Sequence, residues 1–137
     1  MRNLELARDY IRRAQARLLA VDVLFAAESW PDVVRESQEI VELALKSLLK
    51  SCGVEAPRIH DVSDVLLAER DRLPDVLRAA ADRLAAISKD LRRDRELAFY
   101  GAEDLTPSTF YTHEDATRAR DGARWTVESI VGAGRPA

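Results

Sequence analysis

The side chains best suited to hold a phosphate group lie close together in the sequence, between Lys89 and Tyr100. This stretch contains four basic residues followed by two aromatic residues: Lys89, Arg92, Arg93, Arg95, Phe99 and Tyr100. Arginine binds phosphate oxygens and an aromatic ring stacks on a nucleobase, so the group predicts a contact with a nucleotide or RNA. Acidic residues alternate with the basic ones, which is also typical of a solvated, ion-paired helix end: Asp90, Asp94 and Glu96. Three arginines further along could converge with this group: Arg118, Arg120 and Arg124.

Other reactive residue types give weaker signals. His60 and Asp61 have the types of a base and its orienting carboxylate, but we favour a structural interpretation, in which Asp61 caps the next helix and His60 packs at the turn. Cys52 lies on an apolar helix stripe, where a buried, unreactive thiol is more typical than a nucleophile. With one cysteine, two histidines and no Glu-x-x-His pair, we expect no metal site, and no motif indicates a cofactor.

The elements that position these residues show the period of amphipathic helices, because apolar residues recur in steps of three and four. The first helix has the series Leu4, Ala7, Ile11, Ala14, Leu18, Val21 and Phe25. The second has Val34, Ser37, Val41, Ala44 and Leu48, widened by Ile40, Leu45, Leu49 and Cys52. A later helix begins at Pro74 and has Leu77, Ala80, Leu84, Ile87 and Leu91. The last helix has Ala116, Ala119, Ala123, Val127 and Ile130.

Local signals mark where these helices begin and end. Two pairs have capping-box spacing: Ser29 with Asp32, and Thr112 with Asp115. Gly53 is placed to end the second helix, and Asp61 is placed to cap a short helix that runs to Leu67. Residues 97–112 form the least regular segment. The sequence therefore predicts an all-α fold, an antiparallel up-and-down bundle of four main helices plus a short helix.

Composition limits the kinds of function that this chain can have. The 137 residues fit one domain, and a net charge of −3 argues against a whole-surface attraction to nucleic acid or anionic lipid. No apolar run approaches the ~20 residues that a membrane-spanning helix needs. The charged N-terminus does not resemble a signal peptide, so we expect a cytoplasmic protein with no membrane partner.

Two segments carry residues whose order and spacing resemble those of the HEPN domain family. The first contains Gln38, Glu42, Leu43, Ala44, Lys46, Gly53, Pro57, His60 and Asp61. The second contains Arg95, Ala98, Tyr100, Gly101, Pro107, Tyr111, Thr112, Asp115 and Ala116. The resemblance covers nearly the whole chain, to about Val131. It implies a single HEPN-like domain over residues 1–131, and we expect residues 132–137 to form a flexible tail.

The resemblance also implies partners and an activity. HEPN domains are often dimers, and many pair with a nucleotidyltransferase in toxin–antitoxin or stress-response modules. The wide apolar stripe of the second helix, together with Trp30 and Trp125, also favours a homodimer. Many active members are metal-independent ribonucleases that use an arginine and a histidine four to six residues later.

This sequence departs from the ribonuclease motif. From Arg92, Arg93 or Arg95, the window of four to six residues contains no histidine, and Tyr100 stands at that spacing from Arg95. A tyrosine titrates near pH ~10, so it is a poorer proton shuttle at neutral pH. We therefore expect a non-catalytic or weakly catalytic protein that binds a nucleotide, RNA or a nucleotidyltransferase, with these candidate contacts: Arg92, Arg95, Tyr100, Tyr111 and His113. The alternatives are a ribonuclease toxin with an altered site and a purely structural module.

Overall fold

The fold is an all-helical bundle, as the sequence predicts. A computed structural model describes the backbone of residues 2–55, 61–100 and 106–134, with the side chains of residues 4–55, 61–93, 106 and 108–134. The four main helices are α1 (Arg2–Ala26), α2 (Trp30–Ser51), α4 (Asp75–Tyr100) and α6 (His113–Ala133). Two shorter helices are α3 (Val62–Ala68) and α5 (Pro107–Phe110), and a single 3-10 turn follows α3 at Arg70–Arg72. Strands are absent from the part of the chain that the structure describes.

Helix boundaries differ from the predicted ones near the C-terminal half. The predicted irregular segment, 97–112, contains the last turn of α4 and the whole of α5. Residues 101–105 lie outside the described residues. α6 continues to Ala133, so Gly132 and Ala133 of the predicted tail lie in a helix, and the tail over 132–137 stays a prediction.

Helix α2 occupies the centre of the bundle. It contacts α1, α3, α4, α5 and α6, and its buried residues lie on several of its sides. They are Pro31, Val33, Val34, Ser37, Gln38, Ile40, Val41, Ala44, Leu45, Ser47, Leu48 and Leu49. Small side chains allow close packing: the buried Ser47 hydroxyl donates a hydrogen bond to the Ala7 carbonyl oxygen of α1, at 2.6 Å. The wide stripe is therefore covered by neighbours in the same chain, which removes it as an argument for a dimer.

The turns after α1 and α2 share one hydrogen-bonding pattern. The Glu28 amide donates to the Phe25 carbonyl and the Ser29 amide to the Leu24 carbonyl, each at 3.0 Å. After α2, the Gly53 amide likewise donates to the Lys50 carbonyl (3.1 Å), and the Val54 amide to the Leu49 carbonyl (2.8 Å). Both are Schellman turns, which place one residue in the left-handed region. That residue is Glu28 (φ 59°) in the first turn and Gly53 (φ 77°) in the second.

Three helix starts differ in how their capping residues act. The Thr112–Asp115 capping box is present, and Asp61 accepts a hydrogen bond from the Ser63 amide at 2.9 Å, as the structural interpretation of Asp61 predicts. The predicted box at α2 is wrong. Ser29 holds the N-cap position, but its hydroxyl donates to the Asp32 carboxylate (2.6 Å), and its side chain caps no amide of that described helix. The packing of His60 lies outside the described residues.

Both tryptophans pack within the chain and are only partly exposed. The Trp30 ring makes edge-to-face contacts with the rings of Phe25 (5.1 Å) and His113 (5.2 Å). The Arg83 guanidinium lies over the Trp125 ring, 3.9 Å from its centroid. Both rings therefore already have contacts inside the chain, and their use as anchors of a dimer interface stays a prediction. Among the helices described, none is long and apolar enough to cross a membrane.

Candidate functional site

A groove lies between α4 and α6, beside the last described side chains of α4, and is called the α4–α6 groove here. Its narrower part has a volume of about 290 Å³. The lining residues are Val34, Ile87, Asp90, Leu91, Arg93, Tyr111, Asp115, Arg118, Ala119 and Gly122. The groove thus combines an apolar floor with charged side chains from both walls.

Gly122 and Tyr111 shape this groove. A Cβ atom at Gly122 would lie 3.2 Å from Ile87 Cγ2, so glycine lets α6 approach α4 closely at this point. Tyr111 is 4% exposed and packs edge-to-face against Phe110, with 5.0 Å between ring centroids. The capping box that begins at Thr112 fixes the chain directly after this tyrosine. Local backbone chemistry therefore holds Tyr111 in the lining.

The charged groups of the groove form short-range ion pairs along their own helices. Arg118 lies 2.8 Å from the Asp115 carboxylate, and Arg93 lies 3.8 Å from that of Asp90. The other Asp115 oxygen accepts hydrogen bonds from the amide and hydroxyl of Thr112, which fixes this carboxylate in place. Because both arginines are well exposed, their ion pairs contribute little stability, about 0–1 kcal/mol each. An incoming anion can therefore replace the Asp115 carboxylate as the partner of Arg118 at low cost.

The groove continues towards Trp125 as a wider, more open part of about 600 Å³. Ile87, Arg118 and Gly122 line both parts, so the two are continuous. The wider part adds Arg83, His113, Glu114, Thr117 and Asp121. Over its whole length the groove has arginines and carboxylates side by side.

A model of the HEPN domain family matches residues 7–131, nearly the whole chain. The chain belongs to the HEPN family. Searches of curated proteins and of solved structures found no match. HEPN domains are a nucleotide-binding and ribonuclease-like family of helical proteins, and the matched range includes both walls of the α4–α6 groove.

The structure describes the side chains of three of the five candidate residues: Arg92, Tyr111 and His113. Tyr111 lines the narrow part of the groove and His113 lines the wide part. Arg92 does not line either part; it forms an ion pair with Glu42 of α2, at 3.6 Å. Arg95 and Tyr100 belong to the last turns of α4, and their side chains lie outside the described residues.

His113 has a packing role that the sequence does not reveal. Its ring lies edge-to-face against those of Phe25 (5.3 Å) and Trp30 (5.2 Å), where α1 ends and α2 and α6 begin. Its place in the wide part of the groove is thus set by aromatic contacts with two other helices.

Two basic residues of α4 that do not line the groove, Lys89 and Arg92, form ion pairs with α3, its N-cap and α2. Lys89 bridges Asp64 (2.8 Å) and Asp61 (3.6 Å), and hydrogen bonding to Asp64 raises the pKa of Lys89. Burial acts to raise the pKa of Asp61, but hydrogen bonds from Ser63 and the charge of Lys89 outweigh it and lower that pKa. Together with Arg92–Glu42 and Arg93–Asp90, these contacts show that the described basic side chains of this stretch are ion-paired, whereas the side chains of Asp94, Arg95 and Glu96 lie outside the described residues.

The arginines of α6 divide between two surfaces. Arg118 lines the groove together with Arg93, as the sequence suggested. Arg120 and Arg124 instead bind Asp22 of α1, at 3.7 Å and 2.9 Å. The Arg120 guanidinium also lies 3.7 Å above the Phe25 ring centroid. The predicted convergence is therefore right for Arg118 and wrong for the other two.

Some groove residues were missed in the sequence. The sequence indicated Asp115 only as a helix cap. It gave no role to Gly122, although a glycine inside a helix is a signal of close packing.

Among the described side chains, no three of the types His, Cys, Asp and Glu come together in a way that could hold a metal ion.

Proposed function

We propose that this HEPN domain binds a nucleotide, or a nucleotide at the end of an RNA, in the α4–α6 groove without cleaving it. The observation that carries the proposal is the mixed lining of the narrow part. Arg93 and Arg118 stand with Asp90 and Asp115 beside the buried Tyr111.

Each part of a nucleotide finds a chemical counterpart in that lining. The arginines donate hydrogen bonds to phosphate oxygens, which are acceptors only. The carboxylates accept hydrogen bonds from ribose hydroxyls and exocyclic amines, as acidic residues do in other nucleotide sites. Ile87 and Leu91 supply apolar contact for a base. Volumes of roughly 300–1,000 Å³ are typical of small-molecule sites, and the continuous groove falls in that range.

Lack of cleavage is proposed because no histidine follows the α4 arginines at the family spacing. The ring of His113 is held by Phe25 and Trp30. Loss of a general acid or base typically lowers a rate by about 10²–10⁴. We therefore expect the purified protein to cleave RNA poorly. Robust metal-independent cleavage that is lost in Arg95→Ala would establish the alternative, a ribonuclease with an altered site.

Binding should be measured by fluorescence anisotropy with N-methylanthraniloyl-ATP and with a short 5′-labelled RNA. Arg118→Ala is expected to weaken binding about tenfold or more, because a hydrogen bond to a charged group contributes ~1.5–3 kcal/mol. Arg72→Ala is the matched control: Arg72 is exposed, and it pairs with Glu69 three residues away, as Arg118 does with Asp115. An Arg118→Ala affinity equal to that of Arg72→Ala would refute the site, and absence of wild-type binding at millimolar nucleotide would refute the function.

The biological setting that we propose is a two-protein toxin–antitoxin or stress-response module whose other component is a nucleotidyltransferase. Membership of the HEPN family supports this setting. Co-expression with a nucleotidyltransferase encoded beside the gene, followed by affinity purification of one component, tests it. Recovery of the HEPN protein alone would count against the partnership.

A further inference from the structure

Arg83, in the wide part of the α4–α6 groove, is held differently from the arginines of the narrow part. Its guanidinium lies over the Trp125 ring, 3.9 Å from the ring centroid, and within the described part of the chain it has no ion pair with a carboxylate. Arg93 and Arg118 each lie near an aspartate of their own helix. Because Arg83 is exposed and Trp125 only partly so, the ring covers one side of the guanidinium and leaves the other side open.

An arginine held in this way is suited to stack on a nucleobase. A guanidinium is planar and stacks on aromatic faces, and a cation over a tryptophan ring is attracted to that ring. The contact with Trp125 restricts the long side chain of Arg83 before any ligand arrives. A base that stacks on the open side therefore pays less of the entropy of ordering this side chain.

The rest of the wide part offers hydrogen-bond acceptors. Glu114 and Asp121 line it, and neither forms an ion pair with another described residue. The Thr117 hydroxyl donates its hydrogen to the His113 carbonyl oxygen at 2.8 Å, so its oxygen is left to accept. A phosphate placed here would meet two free carboxylates, whereas an uncharged base with an amino group would find acceptors for its N–H donors. The wide part therefore fits a base better than a phosphate.

The groove is long enough for two nucleotides. Leu91 in the narrow part and Arg83 in the wide part are eight residues apart on α4, about 12 Å at ~1.5 Å per residue. Bases stacked on each other in a strand are only ~3.4 Å apart, so bases at these two places contact the protein instead of each other. Arg118 lines both parts, in a position to hold the phosphate that joins the two nucleotides.

We propose that the wide part of the groove is a second base subsite, in which the base of an adjoining nucleotide stacks on Arg83 and donates from its amino group to Glu114 or Asp121. This inference rests on the proposed nucleotide site in the narrow part, and it makes the ligand a strand of at least two nucleotides. Adenine, cytosine and guanine carry the required amino group, whereas uracil presents carbonyl oxygens, which only accept.

Isothermal titration calorimetry with AMP and with the dinucleotide pApA tests the second subsite. Wild-type protein should bind pApA about five- to 100-fold more tightly than AMP, the gain that stacking of one base on a protein side chain gives. Arg83→Ala should bring this ratio of affinities close to one. Arg72→Ala is the control, because it removes the same charge at an exposed position outside the groove, and it should keep the wild-type ratio.

The outcomes separate the second subsite from the first. Absence of binding by both AMP and pApA would refute the nucleotide site itself. If AMP binds, then equal wild-type affinities for the two ligands, or an unchanged ratio in Arg83→Ala, would overturn the second subsite alone. Arg83→Lys keeps the charge without the guanidinium plane, so it should lose most of the gain. Full retention of the gain in Arg83→Lys would overturn the stacking role.

Replacing one adenine by uracil tests the base preference. The dinucleotides pApU and pUpA carry uracil at different positions, and the one that places uracil in the wide part should bind at least about fivefold more weakly than pApA. The double substitution Glu114→Gln and Asp121→Asn gives the wide part amide donors, so it should reduce this difference. Equal affinities for all three dinucleotides, or a difference that the double substitution leaves unchanged, would overturn the role of the two carboxylates.

Discussion

Glu28 and Gly53 occupy the same position in two equivalent helix-ending turns, so substitutions there should change stability in opposite directions. Both residues have a positive φ, 59° for Glu28 and 77° for Gly53. Glycine reaches this region without strain, whereas an L-residue with a side chain pays a steric cost. We predict that Glu28→Gly stabilises the fold and that Gly53→Ala destabilises it.

The expected magnitude is about 1 kcal/mol in each case. The left-handed conformation costs a residue with a side chain ~1–2 kcal/mol, and the extra freedom of glycine in the unfolded chain offsets ~0.4–1 kcal/mol of this. At Gly53 the cost is one of backbone conformation alone, because an added Cβ would meet no atom within 4 Å. At Glu28 the exposed side chain gives up little packing. For a chain of this size, 1 kcal/mol corresponds to a change of roughly 3–5 °C in Tm.

Urea unfolding followed by far-UV circular dichroism at low micromolar protein measures both changes. Gly132→Ala is the matched control, because Gly132 lies within α6 and an added Cβ there also meets no atom within 4 Å. Alanine is the better helix former by up to ~1 kcal/mol, so this substitution should be neutral or stabilising. If Gly53→Ala behaves like Gly132→Ala, or if Glu28→Gly destabilises the protein, the reasoning about the left-handed turns is refuted.

Three further predictions concern acid stability, the core and the groove. Burial acts to raise the pKa of Asp61, but Ser63 and Lys89 lower it below the ordinary value of 3.8 in the folded protein. The ionised Asp61 carboxylate therefore stabilises the fold above about pH 4, and this contribution is lost as pH falls through the lowered pKa. Asn caps a helix as well as Asp, so the urea midpoint of Asp61→Asn should fall less than that of wild type between about pH 7 and pH 2; equal losses would contradict this. Leu45→Ala should lower the free energy of unfolding by ~2–5 kcal/mol, since Leu45 is fully buried in the central helix. A loss below ~1 kcal/mol would show that neighbouring side chains move into the cavity left by the leucine side chain. Gly122→Leu should weaken binding of the labelled nucleotide, because the new side chain enters the groove; unchanged affinity in a folded variant would place the ligand elsewhere.

Local rules were enough to predict the helices and most of their ends. The step of three and four residues is a property of each helix alone, and the buried series of α2 and α6 agree with it. Residues that cap or end a helix act on amides and carbonyls only a few residues away, so their roles follow from spacing. This holds for the Thr112–Asp115 pair, for Asp61 and for Gly53. Ser29 with Asp32 has the same spacing but another outcome, because the hydroxyl binds the carboxylate directly.

The candidate site was only partly predictable, because it depends on which helices are neighbours. Arg92 and Arg93 are adjacent in sequence, yet one pairs with Glu42 on α2 and the other lines the groove with α6. The helical period alone predicts which arginines of α6 share a face. Arg120 and Arg124 are four residues apart and share a face, whereas Arg118 lies roughly 200° around the helix from Arg120. The sequence thus shows that the three arginines cannot share one surface, but not that the second surface faces Asp22.

The central position of α2 has a consequence for how the protein opens in its native state. An amide in the middle of α2 can exchange its hydrogen with water only when the helices around it have separated, because α2 contacts each of the other described α-helices. The slowest-exchanging amides should therefore lie around Ala44 and Leu45, with protection equal to the free energy of global unfolding. The four-residue α5 contributes few contacts and should exchange through small local openings. Local openings of α5, the helix that directly precedes Tyr111, can thus occur while the rest of the bundle stays closed.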